Sequence, residues 1–153
     1  MNAIELGKEI DKVGNVLTIY QSLELGMSPA FSLFLQHYAE TVKNGHAFPI
    51  TTWNDKTCGV IYAVINNEIV GQITYDKNNY NAPGSIWIVL SSVSEYHRGK
   101  GIYKILHKYL DKFAKDNNFP EVASFVHVKN ELQLRALKSV GKNPIFYVVG
   151  KRI

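Results

Sequence analysis

The feature that most constrains this chain is the run from Val93 to Tyr103, where an apolar segment passes into a helix pattern through Arg98-Gly99-Lys100-Gly101. Ile86 to Leu90 are almost uniformly apolar and β-prone, and read as a buried strand. Beyond the glycines, Ile102, Ile105, Leu106, Tyr109, Leu110 and Phe113 recur at helical spacing, which puts a helix N-terminus at Gly99 to Tyr103. The first N–H groups of a helix have no intrahelical acceptor, and its dipole adds positive potential there. A strand, a glycine turn and a helix in this order therefore favour an anion, a phosphate above all, where the glycines let it approach.

The run after the strand resembles motif A of the GNAT superfamily of N-acetyltransferases, whose pattern is Arg or Gln, two residues, Gly, one residue, then Gly or Ala. Arg98 and Gly101 follow it, with Gly99 and Lys100 at the two free positions, while the final small position is Tyr103. A second resemblance lies downstream. Asn130 follows the apolar run Val122 to Val128 and opens a helical stretch, Leu134, Leu137 and Val140, that stops at Gly141. The superfamily places an Asn at this strand end and a Gly eleven residues on, and Asn130 and Gly141 keep that spacing.

The resemblance implies an α+β fold: a mixed, mostly antiparallel central sheet flanked by helices, in which the strand entering motif A and the strand ending at Asn130 splay apart. It also implies acetyl-CoA as co-substrate. Backbone groups near Ser91, Ser92 and Val93 would pair with the pantetheine arm. Arg98, Gly99, Lys100, Gly101, Ile102, Tyr103 and Lys104 would surround the pyrophosphate, and Asn130 would complete the cofactor site. The acceptor would be an amine of a small molecule or a protein, acetylated directly in a ternary complex. Dimers are common on this fold, so a homodimer is among the expectations.

Acetyl transfer to an amine needs a deprotonated nucleophile and a stabilised leaving thiolate. Many superfamily members use a Tyr seven residues after the Asn as acid, which here is Leu137; one branch uses a Glu five residues before it, which here is Phe125. The two replacements keep open a non-enzymatic reading, an acyl-CoA-binding or protein-interaction module on the same scaffold. His127 is the local substitute, because strand alternation would set Phe125, His127 and Lys129 on one face, and imidazole titrates near neutrality. Tyr147, in an expected last strand Ile145 to Val149, is an aromatic packing residue or an acid. Tyr96 and His97 precede the turn, Glu95 faces water, and Trp53 and Trp87 read as core or pocket wall.

The 153 residues suit one domain, 1–153, and the 46% apolar and 20% charged content is that of a globular chain. Cys58, the single cysteine, reads as a small core residue and leaves no internal disulfide; no Cys and His cluster has metal-ligand spacing. With no N-terminal apolar signal region and no 18-residue apolar span, the expectation is a soluble cytoplasmic protein without membrane contact. Net charge is only +4 and no interleaved Arg and aromatic motif is visible, which argues against a nucleic-acid partner; Lys100, Lys104, Lys108, Lys112 and Lys115 read as a solvated helix face, with Lys100 and Lys104 also placed to draw in phosphates.

Elsewhere, Ser28-Pro29 suits an N-cap and first helical position, with Phe31, Phe34, Leu35, Tyr38, Ala39 and Val42 on one face and an end near Asn44-Gly45. Gly59 to Ile65 and Ile69 to Tyr75 flank a hairpin turn at Asn66-Asn67-Glu68. Ala3 to Val13 fits a helix interrupted by glycine, and Val16 to Tyr20 a short strand. The expected order is a helix, three antiparallel strands, then helix, strand, helix, strand.

Overall fold

The computed structural model describes residues 3–46, 57–78 and 84–145. Within them a six-stranded sheet runs in chain order: β1 (Ala3–Ile10), β2 (Val16–Ser22), β3 (Cys58–Ile65), β4 (Glu68–Asp76), β5 (Ile86–Val93) and β6 (Val122–Ala123). Neighbouring strands are antiparallel as far as β5, whereas β5 and β6 are parallel. Helix α1 (Phe31–Lys43) links β2 to β3, α2 (Ile102–Asp116) links β5 to β6, and α3 (Glu131–Ser139) follows β6. The sheet is thus a mixed, mostly antiparallel one in an α+β fold, as expected.

Each face of the sheet carries a core. Leu17, Ile19, Ile61, Ile73 and Tyr75 pack on one face with Ile102, Leu106 and Leu110 of α2. Each of those three helix side chains contributes roughly 1.5–3 kcal/mol by burial. On the other face Phe34 of α1 packs with Leu25, Cys58, Val60 and Tyr62. The outer side of α2 carries Lys104, Lys108, Lys112 and Lys115 in solvent. Lys108 pairs with Glu9 of β1 at 2.5 Å and Lys112 with Asp116, exposed pairs that add little stability. No helix among the described residues is long and apolar enough to cross a membrane.

The sharp turn between β3 and β4 follows from two asparagines. Asn66 and Asn67 adopt φ values of 48° and 65°, the pair of positive angles that a two-residue hairpin turn needs. Ile65 and Glu68 then face each other across the ladder, so Glu68 belongs to β4 and not to the turn.

Several expectations are corrected. Ala3 to Val13, open to a glycine-interrupted helix in the sequence, contains strand β1, whose register changes between Glu5 and Gly7 and so accommodates the glycine; Val16 to Tyr20 lies in strand β2, as expected. Helix α1 starts at Phe31 with Ala30 as its N-cap. Ser28 and Pro29 form the turn before it, the Ser28 hydroxyl accepting the Ala30 amide at 3.2 Å and the Ser28 carbonyl the Phe31 amide at 3.1 Å. Leu35 and Ala39 are exposed and His37 is buried in their stead. The strand expected over Val122 to Val128 holds for two residues only, because the chain leaves the ladder after Ala123. Ile145 is not in a strand. Trp53, Tyr147 and the rest of the expected last strand lie outside the described residues.

Candidate functional site

The site begins with the short pairing of β5 and β6. Ile86 pairs with Val122 and Trp87 with Ala123, and no further. Phe125 turns its ring edge-on to Trp87, with centroids 4.5 Å apart, and closes the deep end of the gap that opens beyond them. The gap holds a cavity of about 110 Å³. Leu90 and Ser91 of β5 form one wall, Phe125 and His127 the other, Tyr38, Thr41 and His46 reach in from the end of α1, and Asn130 and Gln133 stand at the start of α3.

At the end of β5 the chain enters the glycine turn. Gly99 and Gly101 have φ values of 73° and 87°, which residues with a Cβ adopt only under strain. Gly101 is the N-cap of α2 and no side chain caps it, so the first-turn amides have no intrahelical acceptor. The space beside Gly99 is open. Arg98 turns its Nε back to the Val93 carbonyl at 2.9 Å, joining the turn to the strand end. Lys12, from the β1–β2 loop, donates its amide to the Lys100 carbonyl at 2.9 Å, and its side chain runs past Gly101, 3.4 Å from where a Cβ would stand. Lys100 is half-buried in the turn, and Lys104 lies in solvent one turn into α2.

Side chains on β5 alternate between two polar clusters. Ser91 faces the gap. Gln133 Nε2 donates to the Ser91 hydroxyl and to the Tyr103 hydroxyl, each at 3.2 Å. Tyr103 therefore folds beneath the turn; burial raises its pKa, while its hydrogen bonding with Ser91 and with Gln133 opposes that. Ser92 faces α1, where its hydroxyl meets Nδ1 of His37 and accepts Gln72 Nε2 at 3.0 Å. Burial lowers the His37 pKa, Glu40 opposes that, and Arg98 reinforces it.

Asn130 caps α3, its Oδ1 accepting the Gln133 amide at 3.2 Å. Asn130 and Gln133 have the spacing of a capping box, yet the Gln133 side chain serves Ser91 and Tyr103, and the Asn130 amide goes to the His127 carbonyl at 2.8 Å. Helix α3 ends in a Schellman motif: Lys142 N–H bonds the Leu137 carbonyl and Gly141 N–H the Lys138 carbonyl, both at 3.1 Å, with Gly141 at φ 83°.

A family model described as the acetyltransferase (GNAT) family matches residues 25–141. The chain belongs to that family. It is a family of N-acetyltransferases, so the chain stands among acetyl-transferring enzymes. Solved structures of GNAT acetyltransferases share its fold. An aminoglycoside acetyltransferase from an uncultured soil metagenomic sample superposes with TM-score 0.68 at 20% identity, over 90% of this chain and 95% of that one. A ribosomal-protein-alanine N-acetyltransferase from Brucella melitensis biovar Abortus 2308 gives 0.66 at 19% identity, over 90% and 99%. An aminoglycoside N-acetyltransferase in complex with CoA gives 0.64 at 14% identity, over 88% and 98%. Comparison with curated proteins gives no match.

Against the GNAT expectations, Ser91, Asn130 and His127 meet at the gap, whereas Ser92 turns to α1 and Lys104 to water. His127 is not on a strand face with Lys129. It sits in residues 124–127, its Nδ1 accepting the Lys129 amide at 3.2 Å and its ring stacked on His46 with centroids 5.9 Å apart. Leu137 is buried, and Phe125 is half exposed beside Trp87. Tyr96 is fully in solvent, and His97 is half-buried. No group of three or more His, Cys, Asp or Glu that could hold a metal occurs among the described residues. Sequence reading missed His37, His46, Gln133 and Lys12. His37 interrupts the apolar stripe of α1 and Gln133 sits at a capping-box position, so both carried a local signal; Lys12 reaches the turn only through the fold.

Proposed function

We propose that the protein is an acetyl-CoA-dependent N-acetyltransferase that passes the acetyl group directly to an amine, of a small molecule or a protein, with both substrates bound. The observation that carries this reading is the coincidence of a gap between β5 and β6 with an uncapped glycine turn at its mouth. The residues present fit the co-substrate. Backbone groups at Ser91, Ser92 and Val93 would take the pantetheine arm, the amides of Gly99 to Tyr103 the pyrophosphate, and Asn130 the facing side. Lys12, Lys100 and Lys104 would add positive charge, while Arg98 would brace the turn.

Acetyl-CoA supplies an acetyl group activated as a thioester. The chain's part is to hold it beside the amine and to move a proton. His127 is the group assigned that role. Its Nδ1 accepts the Lys129 amide at 3.2 Å; release of that bond frees the nitrogen to take the proton of the attacking amine, which the imidazolium can then return to the leaving thiolate. Direct transfer is preferred to a cysteinyl relay because Cys58, the single cysteine, is buried under α1. Amine acceptors fit the names of the similar structures, which include aminoglycoside and ribosomal-protein-alanine acetyltransferases. A reducing cytoplasm suits the buried thiol.

Calorimetry tests the reading. The purified protein is expected to bind acetyl-CoA, and Gly101→Glu to abolish binding, since a carboxylate at the turn would repel the pyrophosphate. No binding by the unaltered protein would sink the assignment. Mass spectrometry of a cell extract incubated with the protein and isotopically labelled acetyl-CoA is expected to reveal the labelled acceptor. Undiminished turnover in His127→Ala across several pH values would remove that residue from the reaction.

A further inference from the structure

A chain of four polar side chains crosses the sheet from β4 to α1 beneath the gap. Thr74 Oγ1 donates to Gln72 Oε1 at 2.7 Å, which directs the Gln72 amide nitrogen to Ser92 Oγ at 3.0 Å. The Ser92 hydroxyl also meets Nδ1 of His37, and in the neutral tautomer with the ring proton on Nε2 the hydroxyl donates to that nitrogen. Gln72 and Thr74 are wholly buried and His37 is 8% exposed, so water offers these groups little compensation for a lost partner. The chain passes through Ser92, the residue between Ser91 and Val93. The interior of the protein, and not the gap, thus holds the free edge of β5.

We propose that His37 is a positioning residue for acetyl-CoA: through Ser92 it fixes the edge of β5 that would receive the pantetheine arm, and it releases that edge on taking up a proton. The proposal rests on the acetyl-CoA reading above. Protonation turns Nδ1 from acceptor to donor. The Ser92 oxygen would then accept from both Nδ1 and the Gln72 amide, and its proton, half-buried between β5 and α1, would lose the acceptor that fixes it. The charged groups acting on the ring are Glu40, from α1 itself, and Arg98, from the turn after β5. Glu40 favours the proton, while burial and Arg98 oppose it, so the release belongs to the acid side of the ordinary histidine range.

Calorimetric titration with CoA between about pH 8 and pH 5 tests this on the intact chain, with circular dichroism confirming the fold of each variant. His37→Leu and Ser92→Ala are expected to bind CoA about fivefold more weakly at neutral pH, the effect of one buried hydrogen bond. His37→Asn, whose side-chain oxygen replaces Nδ1 as acceptor without titrating, is expected to restore most of that loss. The unaltered protein should lose about fivefold more affinity on acidification than His37→Asn does. In turnover the change should appear in KM for acetyl-CoA and not in kcat. Equal pH dependence in the two proteins, or unchanged affinity in a folded His37→Leu, would overturn the proposal and leave the acetyl-CoA reading intact. Failure of the unaltered protein to bind CoA at neutral pH would overturn both.

Discussion

His107 lies fully buried on the inward face of α2, beside the Tyr103 ring, and neither of its ring nitrogens has a hydrogen-bond partner among the described residues. Burial, with a smaller contribution from Lys142, moves its pKa down from 6.5 to about 3. Between those values the unfolded chain binds the proton and the folded chain does not, so stability falls as pH falls through this window. Each pH unit corresponds to about 1.4 kcal/mol. Urea denaturation is expected to show a loss of about 2 kcal/mol from this group between pH 6.5 and pH 5. A His107→Leu variant should lack that part of the slope, and equal slopes would refute the assignment. At this scale the sequence was legible where the constraint is local: Gly99 and Gly101 announce a turn because backbone angles demand them. His107 was not, since helical spacing names the inward face of α2 without telling which inward residue lacks a partner.

Among the elements, the β1–β2 loop makes the least expected contribution. The Asp11 carboxylate folds it by accepting the amides of Val13 and Asn15 at 3.0 and 2.9 Å, and Lys12 is thereby laid against the start of α2. A cation at a helix N-terminus is electrostatically disfavoured unless an anion lies between, so its position there suits a phosphate ligand. Lys12→Glu is expected to weaken CoA binding about tenfold at low salt and less at high salt, as for a charge acting through solvent. Salt-independent affinity in that variant would argue against the role. Nothing in the order of residues links Lys12 to Lys100; only the pairing of β1 with β2 brings them together. Residues 122–128 were misread for a related reason. An apolar run resembles a buried strand whether or not a neighbour is present to pair with it, and here the chain leaves β5 after Ala123.

Over the whole molecule, the half that contains the two resemblances was read well, because β5, the turn, α2 and α3 each carry their own punctuation. In the first half, α1 and the β3–β4 hairpin were legible, while the residues before them were read poorly. Residues before Leu25 fall outside the family match, yet they supply β1 and β2, a third of the six strands described. Their signal was weak because β1 is an edge strand with Ile4 and Ile10 exposed and a register change at Gly7. The ligand should act on this assembly as a unit, since the proposed site draws on the β1–β2 loop, β5, α2 and α3. CoA at a hundred times its dissociation constant adds about 2.7 kcal/mol to stability. For a chain of this size that corresponds to a rise of about 5–10 °C in Tm. Differential scanning fluorimetry is expected to record it, and Gly101→Glu should abolish it.

The two-residue pairing of β5 with β6 also bears on how such a chain can change. Every further rung added between these strands would improve the sheet and narrow the cleft, so at Ser124 and Ser91 the demands of folding and of binding oppose each other. Replacements there that favour strand pairing would be rewarded by stability and penalised by loss of ligand. The residues that hold the strands apart, the Trp87 and Phe125 rings at the fork and Gln133 across its mouth, are therefore where a search for a sturdier variant would encounter its limit.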